Sequence, residues 1–162
     1  MNTSADNQKK WRVEGVVGAP VEQVTEALLA VRPGPAGVEG NALVLAGDHT
    51  REAGAVTLEG GPEKFTGRFG TSGEDYLELT VDRAGATVGI QTWFGGTYTV
   101  EPADGAGRIV LTVHNVVPGA GRIGRKVAEI GIGGRLEKVL TSVLEAVSAQ
   151  VGAPTPAPAA VR

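Results

Sequence analysis

With 162 residues, the chain has the length of one domain and is long enough to bury a single core. Its formal charge of -3 comes with no run of Lys or Arg, which excludes the electrostatic footprint of a nucleic-acid binder, and the absence of Cys excludes disulfides, thiolate nucleophiles and Cys-based metal sites. Against 25 Gly there are only three Phe, two Trp and two Tyr, so an interior built from this chain is walled mostly by Val, Leu, Ile and Ala.

Residues 1–10 are polar and are expected to be disordered. They contain no apolar core of signal-peptide length, and no window of the chain approaches a membrane span, so the reading is a cytoplasmic protein with no integral membrane contact. From Trp11 the chain alternates, with Trp11, Val13, Gly15 and Val17 on one face and Arg12 and Glu14 on the other, the pattern of a half-buried strand. Gly18-Ala19-Pro20 turns the chain, and Pro20 suits the first position of a helix because its missing N–H has no partner there. Val21, Val24, Leu28 and Val31 trace a short apolar helical face that stops at Arg32-Pro33-Gly34-Pro35.

Runs with strand character follow: Ala42 to Ala46, Ala55 to Glu59, Lys64 to Gly70, Tyr76 to Asp82, Thr87 to Val100 and Arg108 to Val116. Gly60-Gly61-Pro62, Ser72-Gly73, Ala84-Gly85 and Asp104-Gly105 punctuate them. Their links are too short for crossover helices, so the sheet is expected to be an antiparallel meander. One parity in each run is the more apolar, and the long run Thr87 to Val100 contains Gly95-Gly96, a signal for a bulge or bend.

The last apolar pattern, Arg122 to Val151, has helical spacing: Ile123, Val127 and Ile130 precede a cluster of Gly131, Gly133 and Gly134, and Leu136, Val139, Leu140, Val143, Leu144 and Val147 follow it. Each interior Gly costs about 1 kcal/mol relative to Ala. A break is therefore expected between a short mobile segment from Arg122 to Ile132 and a firm one from Arg135 to Val151. Residues 152–162, rich in Pro and Ala, are expected to form an extended, unpacked and disordered tail.

The order strand, Ala-Pro turn, short helix, antiparallel meander and long C-terminal helix resembles the START-like, Bet v 1-type (SRPBCC) superfamily of polyketide cyclase/dehydrase and lipid-transport proteins. The stretches that carry the resemblance are GVVGAPVEQVTEALLAV (15–31), GGTYTVEPADGAGRIVLTVHNVVPG (95–119) and RLEKVLTSVLEAV (135–147). It implies an α+β helix-grip fold over residues 11–151, in which a curved antiparallel sheet wraps a long C-terminal helix and encloses an apolar cavity. Two features depart from the pattern: Thr25 stands where many relatives have an aromatic residue, and a Gly/Pro-rich stretch from Pro33 to Gly40 replaces a second short helix.

Combined with the parity of the runs, this gives a candidate lining of Phe65, Phe69, Leu79, Ile90, Thr92, Phe94, Tyr98, Leu111, Val113 and Asn115 from the sheet and Ile130, Leu136 and Leu140 from the helix. The expected partner is a hydrophobic small molecule, bound by a monomer or homodimer without cofactor or metal. The alternative is a polyketide cyclase- or aromatase-like enzyme using general acid/base catalysis, with Tyr98, His114 and Asn115 as candidate catalytic groups. Tyr98 is either a core residue bonded to backbone or a donor to ligand. Asn115 shares the inward phase of Val113, whereas His114 points outward unless a bulge intervenes. With His49 as the other histidine, a multi-histidine metal site has too few ligands.

Gly119-Ala120-Gly121-Arg122-Ile123-Gly124 fits the dinucleotide fingerprint G-x-G-x-x-G, but that motif works only inside a βαβ unit and here a proline-rich tail follows the helix. No G-x-S-x-G elbow and no paired inward carboxylates are present, so hydrolase chemistry lacks its parts.

Overall fold

Alternation in the first strand decides what lies above and below the sheet. In the computed structural model β1 spans Trp11–Val17, with Val13 and Val17 buried and Arg12 and Val16 exposed. The structure describes residues 11–35, 56–69, 76–91, 94–116 and 122–161; within these, the side chains at 35, 56, 68–69, 76–77, 94, 115–116 and 122–132 lie outside the description. The run Ala42 to Ala46 falls outside it as well.

Helix α1 covers Val21–Leu29 and buries Val24, Ala27, Leu28 and Leu29. Pro20 caps the helix rather than opening it: its carbonyl accepts from the N–H groups of Gln23 and Val24 at 3.0 and 3.1 Å. The subsequent strands are β2 Gly34–Pro35, β3 Val56–Gly60, β4 Lys64–Phe69, β5 Tyr76–Asp82, β6 Thr87–Gln91, β7 Phe94–Ala103 and β8 Ala106–Val116. Helix α2 spans Arg122–Val151, and β9 Ala160–Val161 ends the described chain. All form one antiparallel sheet in the order β2-β3-β4-β5-β6-β7-β8-β1-β9. Between β3 and β4 the turn uses Gly60 at φ +104°, where a Cβ would stand 2.6 Å from the Lys64 carbonyl oxygen.

This is the α+β helix-grip fold that the sequence implies, with three local differences. The run Thr87 to Val100 is a hairpin of β6 and β7, not one bent strand: Val88 pairs with Tyr98 and Ile90 with Gly96. Paired residues share parity, so the apolar alternation passes through the turn unchanged, and no Gly, Asn or Pro marks the turn.

The second difference concerns α2, which continues without interruption through Gly131, Gly133 and Gly134. The stripe beyond them, from Leu136 to Val147, is buried, and packing of this stripe offsets the weak propensity of the glycines.

The third is the tail, which packs. Gly152 at φ +72° turns the chain at the end of α2, with the Ala153 N–H bonded to the Ser148 carbonyl at 2.8 Å, a Schellman-type ending. The tail then returns to the sheet, where Glu14 pairs with Ala160 and Val13 with Val161. Ala159 is buried, and its N–H donates to Thr141 Oγ1 at 3.0 Å. An extended proline-rich segment rises about 3.1 Å per residue against 1.5 Å for a helix. The short tail can thereby run back beside α2 as far as Gly133, where a Cβ would lie 3.7 Å from Val161 Cγ2.

Two glycines seat the helices on the sheet. A Cβ at Gly15 in β1 would collide with Leu144 Cδ1 of α2, and one at Gly107 in β8 would lie 2.7 Å from Val24 Cβ of α1. The core therefore sits between β1, β8 and the two helices and extends along the inner face of the meander.

Candidate functional site

Cross-strand pairing arranges the inner face in rows. One row runs Phe65, Leu79, Ile90, Gly96, Val113 and Trp11; the next runs Val81, Val88, Tyr98, Leu111 and Val13. Gly96 contributes no side chain between Ile90 and Val113, so the first row has a gap at its centre.

Of the candidate lining residues, Phe65, Leu79, Ile90, Tyr98, Leu111 and Val113 lie in these rows and are buried, as are Leu136 and Leu140 on α2. Phe69, Phe94 and Asn115 occupy strand positions, and Ile130 a helix position, whose side chains lie outside the described residues; Thr92 lies outside them altogether.

The interior is poor in ionisable groups. Among the described residues the buried polar side chains are Ser148 and the hydroxyl-bearing Tyr98. Ser148 Oγ has no hydrogen-bond partner there. Tyr98 is 1% exposed, and desolvation raises its hydroxyl pKa well above the ordinary value for a phenol, because the phenolate loses water and gains no countercharge. At neutral pH Tyr98 is therefore a proton-bearing donor and not a base.

His114 is exposed, as its phase requires, but by a different route. The register between β7 and β8 shifts between Gly95 and Gly96: Gly96 faces Val113 and Gly95 faces Asn115, so His114 is the additional residue of a β-bulge. The parity that placed Asn115 with Val113 therefore ends at the shift. His114 Nε2 and Thr97 Oγ1 share a hydrogen bond of 3.2 Å. They lie on the outer sheet face, where His114 borders a shallow groove of about 240 Å³ with Glu78, Thr80, Gln91 and the glycines 89, 95 and 96. The structure thus separates His114 from Tyr98: one is on the outer face and the other is buried on the inner.

Sequence reasoning missed Gly96 as an inward position. The Gly95-Gly96 pair signalled a bulge, but only the hairpin register shows that Gly96 interrupts an inner row. As for the dinucleotide fingerprint, the element after α2 is β9, antiparallel to β1, whereas a nucleotide fold needs a parallel second strand at that point. Among the described residues no helix is long and apolar enough to cross a membrane.

An antiparallel sheet gripping a C-terminal helix defines a Bet v 1-like fold, and solved structures share it over most of the chain. The protein TTHA0849 from Thermus thermophilus is 20% identical with a TM-score of 0.57, covering 87% of this chain and 98% of that one. The KanY protein is 20% identical with a TM-score of 0.58, covering 90% and 99%. Ara h 8.0201 is 14% identical with a TM-score of 0.52, covering 88% and 97%. At these identities the likeness is one of fold. No protein-family model matches the chain, and no curated protein matches it by sequence.

Proposed function

We propose that this protein binds a hydrophobic small molecule between the inner sheet face and α2, as a carrier or sequestering protein of the START-like type. The observation that carries this reading is the chemistry of the inner face. Its rows are apolar, mostly Leu, Ile and Val, with Phe65 and Trp11 at the two ends of the first and Tyr98 within the second; they are interrupted at Gly96, and among the described residues they hold no buried carboxylate, amine or imidazole. Such a surface favours an apolar body and offers Tyr98 as one hydrogen-bond donor for orientation.

One observation bears on a cyclase- or dehydratase-type alternative: Tyr98 carries the buried hydroxyl of the inner face, the one buried side chain there among the described residues able to donate a hydrogen bond to a reacting oxygen. His114, on the outer face, has no part in that reading. Native mass spectrometry and thermal-shift screening across hydrophobic metabolites test the binding proposal. A ligand that raises the melting temperature and is lost on replacing Leu79 or Ile90 with a charged residue supports it; no bound species and no shift across the panel rejects it. Turnover of a bound polyketide-like substrate that disappears in Tyr98→Phe would establish the enzymatic alternative.

A further inference from the structure

A second concavity lies away from the inner face, between α1 and the β5–β6 turn. It has a volume of about 430 Å³ and is lined by Val21, Glu22, Thr25, Glu26 and Leu29 of α1 and by Arg83 of the turn. That volume falls within the roughly 300 to 1,000 Å³ typical of small-molecule clefts. From its lining we infer that the groove binds a small zwitterion with an apolar body, the chemistry of a free amino acid with a hydrophobic side chain.

Its floor is apolar. Val21 is half-buried and Leu29 buried, and Thr25 Oγ1 donates to the Val21 carbonyl at 2.7 Å, which engages its hydroxyl with the helix and leaves the methyl group for contact. The walls carry opposite charges. Glu22 and Glu26 stand one helical turn apart, a like-charge spacing that weakens an isolated helix by a few tenths of a kcal/mol. Arg83 follows Asp82, whose Oδ1 accepts from the Gly85 N–H at 3.0 Å and fixes the turn.

Among the described residues no ion pair joins Arg83 to Glu22 or Glu26. The groove thus keeps a guanidinium and two carboxylates around an apolar floor without mutual neutralisation. A ligand with an ammonium and a carboxylate on one carbon answers both: the ammonium donates to Glu22 and Glu26, the carboxylate accepts from Arg83, and the side chain covers Val21 and Leu29. A simple anion would meet two carboxylates, and a simple amine would leave Arg83 unmatched.

Titration of the 15N-labelled full chain with L-phenylalanine, hydrocinnamate and phenethylamine tests this, since the three share a phenylpropyl- or phenethyl-like body and differ in charge. L-Phenylalanine should shift the amides of α1 and Arg83 saturably and bind about fivefold or more tightly than either single-charge analogue, the effect of one exposed ion pair. Arg83→Gln should bring L-phenylalanine down to the level of phenethylamine while phenethylamine is unaffected. The double change Glu22→Gln, Glu26→Gln should instead bring it to the level of hydrocinnamate. These are exposed positions, and the amide spectra of the variants report directly that the fold is kept. Equal binding of all three probes, shifts confined to the inner strands, or no saturable shift overturns the inference.

Discussion

The seat of α1 on β8 makes a quantitative prediction. Gly107 has ordinary backbone geometry, so Gly107→Ala should gain about 0.5–1 kcal/mol from reduced freedom of the unfolded chain and better strand propensity. Against this, the new Cβ would lie 2.7 Å from both Cβ and Cγ2 of Val24 and 3.0 Å from Cγ1. Val24 is fully buried and β-branched, so the clash involves the root of a stiff side chain, and relief requires moving α1 itself.

Overpacking costs about 1–3 kcal/mol, and a clash at the root of a stiff, buried side chain belongs in the upper part of that range, about 2–3; set against a gain of about 1, this leaves a net loss of about 1–2 kcal/mol. For a chain of this size that lowers the melting temperature by about 2 to 8 °C. Denaturant unfolding of Gly107→Ala, Val24→Ala and the double variant measures the coupling. The two changes should be less harmful together than their sum by at least about 1 kcal/mol, since the added methyl fills space that Val24 vacates. A neutral or stabilised Gly107→Ala, or additive effects, would refute the packing argument.

Other features give equally direct tests. Ser148→Ala removes a buried hydroxyl that has no partner among the described residues, and should stabilise the fold by about 1 kcal/mol in denaturant unfolding. Thr141→Val takes away the acceptor of the buried Ala159 N–H and should speed hydrogen exchange at Ala159 and Val161 while costing about 1 kcal/mol. Tyr98 has a folded-state pKa above its unfolded one, so its contribution to stability is complete below the ordinary tyrosine value of about 10 and is lost progressively as pH rises from there through the folded-state value. Followed by phenolate absorbance, Tyr98 should ionise only together with unfolding, and Tyr98→Phe should reduce the alkaline loss of stability.

Elements with an unbroken period were legible in the sequence. The parity of Trp11–Val17 and the helical stripe from Leu136 to Val147 each follow from one face being buried along the whole element. What stayed hidden depended on partners distant in sequence. The β6–β7 hairpin kept its alternation across the turn because Val88 and Tyr98, which pair, have the same parity. The tail carries no periodic signal, since its place is set by two backbone pairs to β1 and one hydroxyl from Thr141.

Inward positions were readable to the extent that parity could be followed: Phe65, Leu79, Ile90, Tyr98, Leu111, Val113, Leu136 and Leu140 are buried. For Asn115 the count stopped at the register shift opposite Gly95-Gly96: the glycine pair announced a bulge, but the additional residue, His114, lies on the partner strand β8, which the pair does not identify.

The position of β1 has a kinetic consequence. Most strands of the meander meet a neighbour through a short hairpin, whereas Trp11 must find Val113 about a hundred residues later, and α2 and β9 reach β1 later still. Closing a loop of that length carries a larger entropic cost than closing any of the meander's short hairpins, so it is repaid only once the β6–β8 hairpins offer a formed edge. A strand that precedes the whole meander in the chain is then among the last to dock. Val13→Ala should therefore accelerate unfolding and leave refolding almost unchanged, with a kinetic φ-value near zero, and a value near one would place β1 in the folding nucleus.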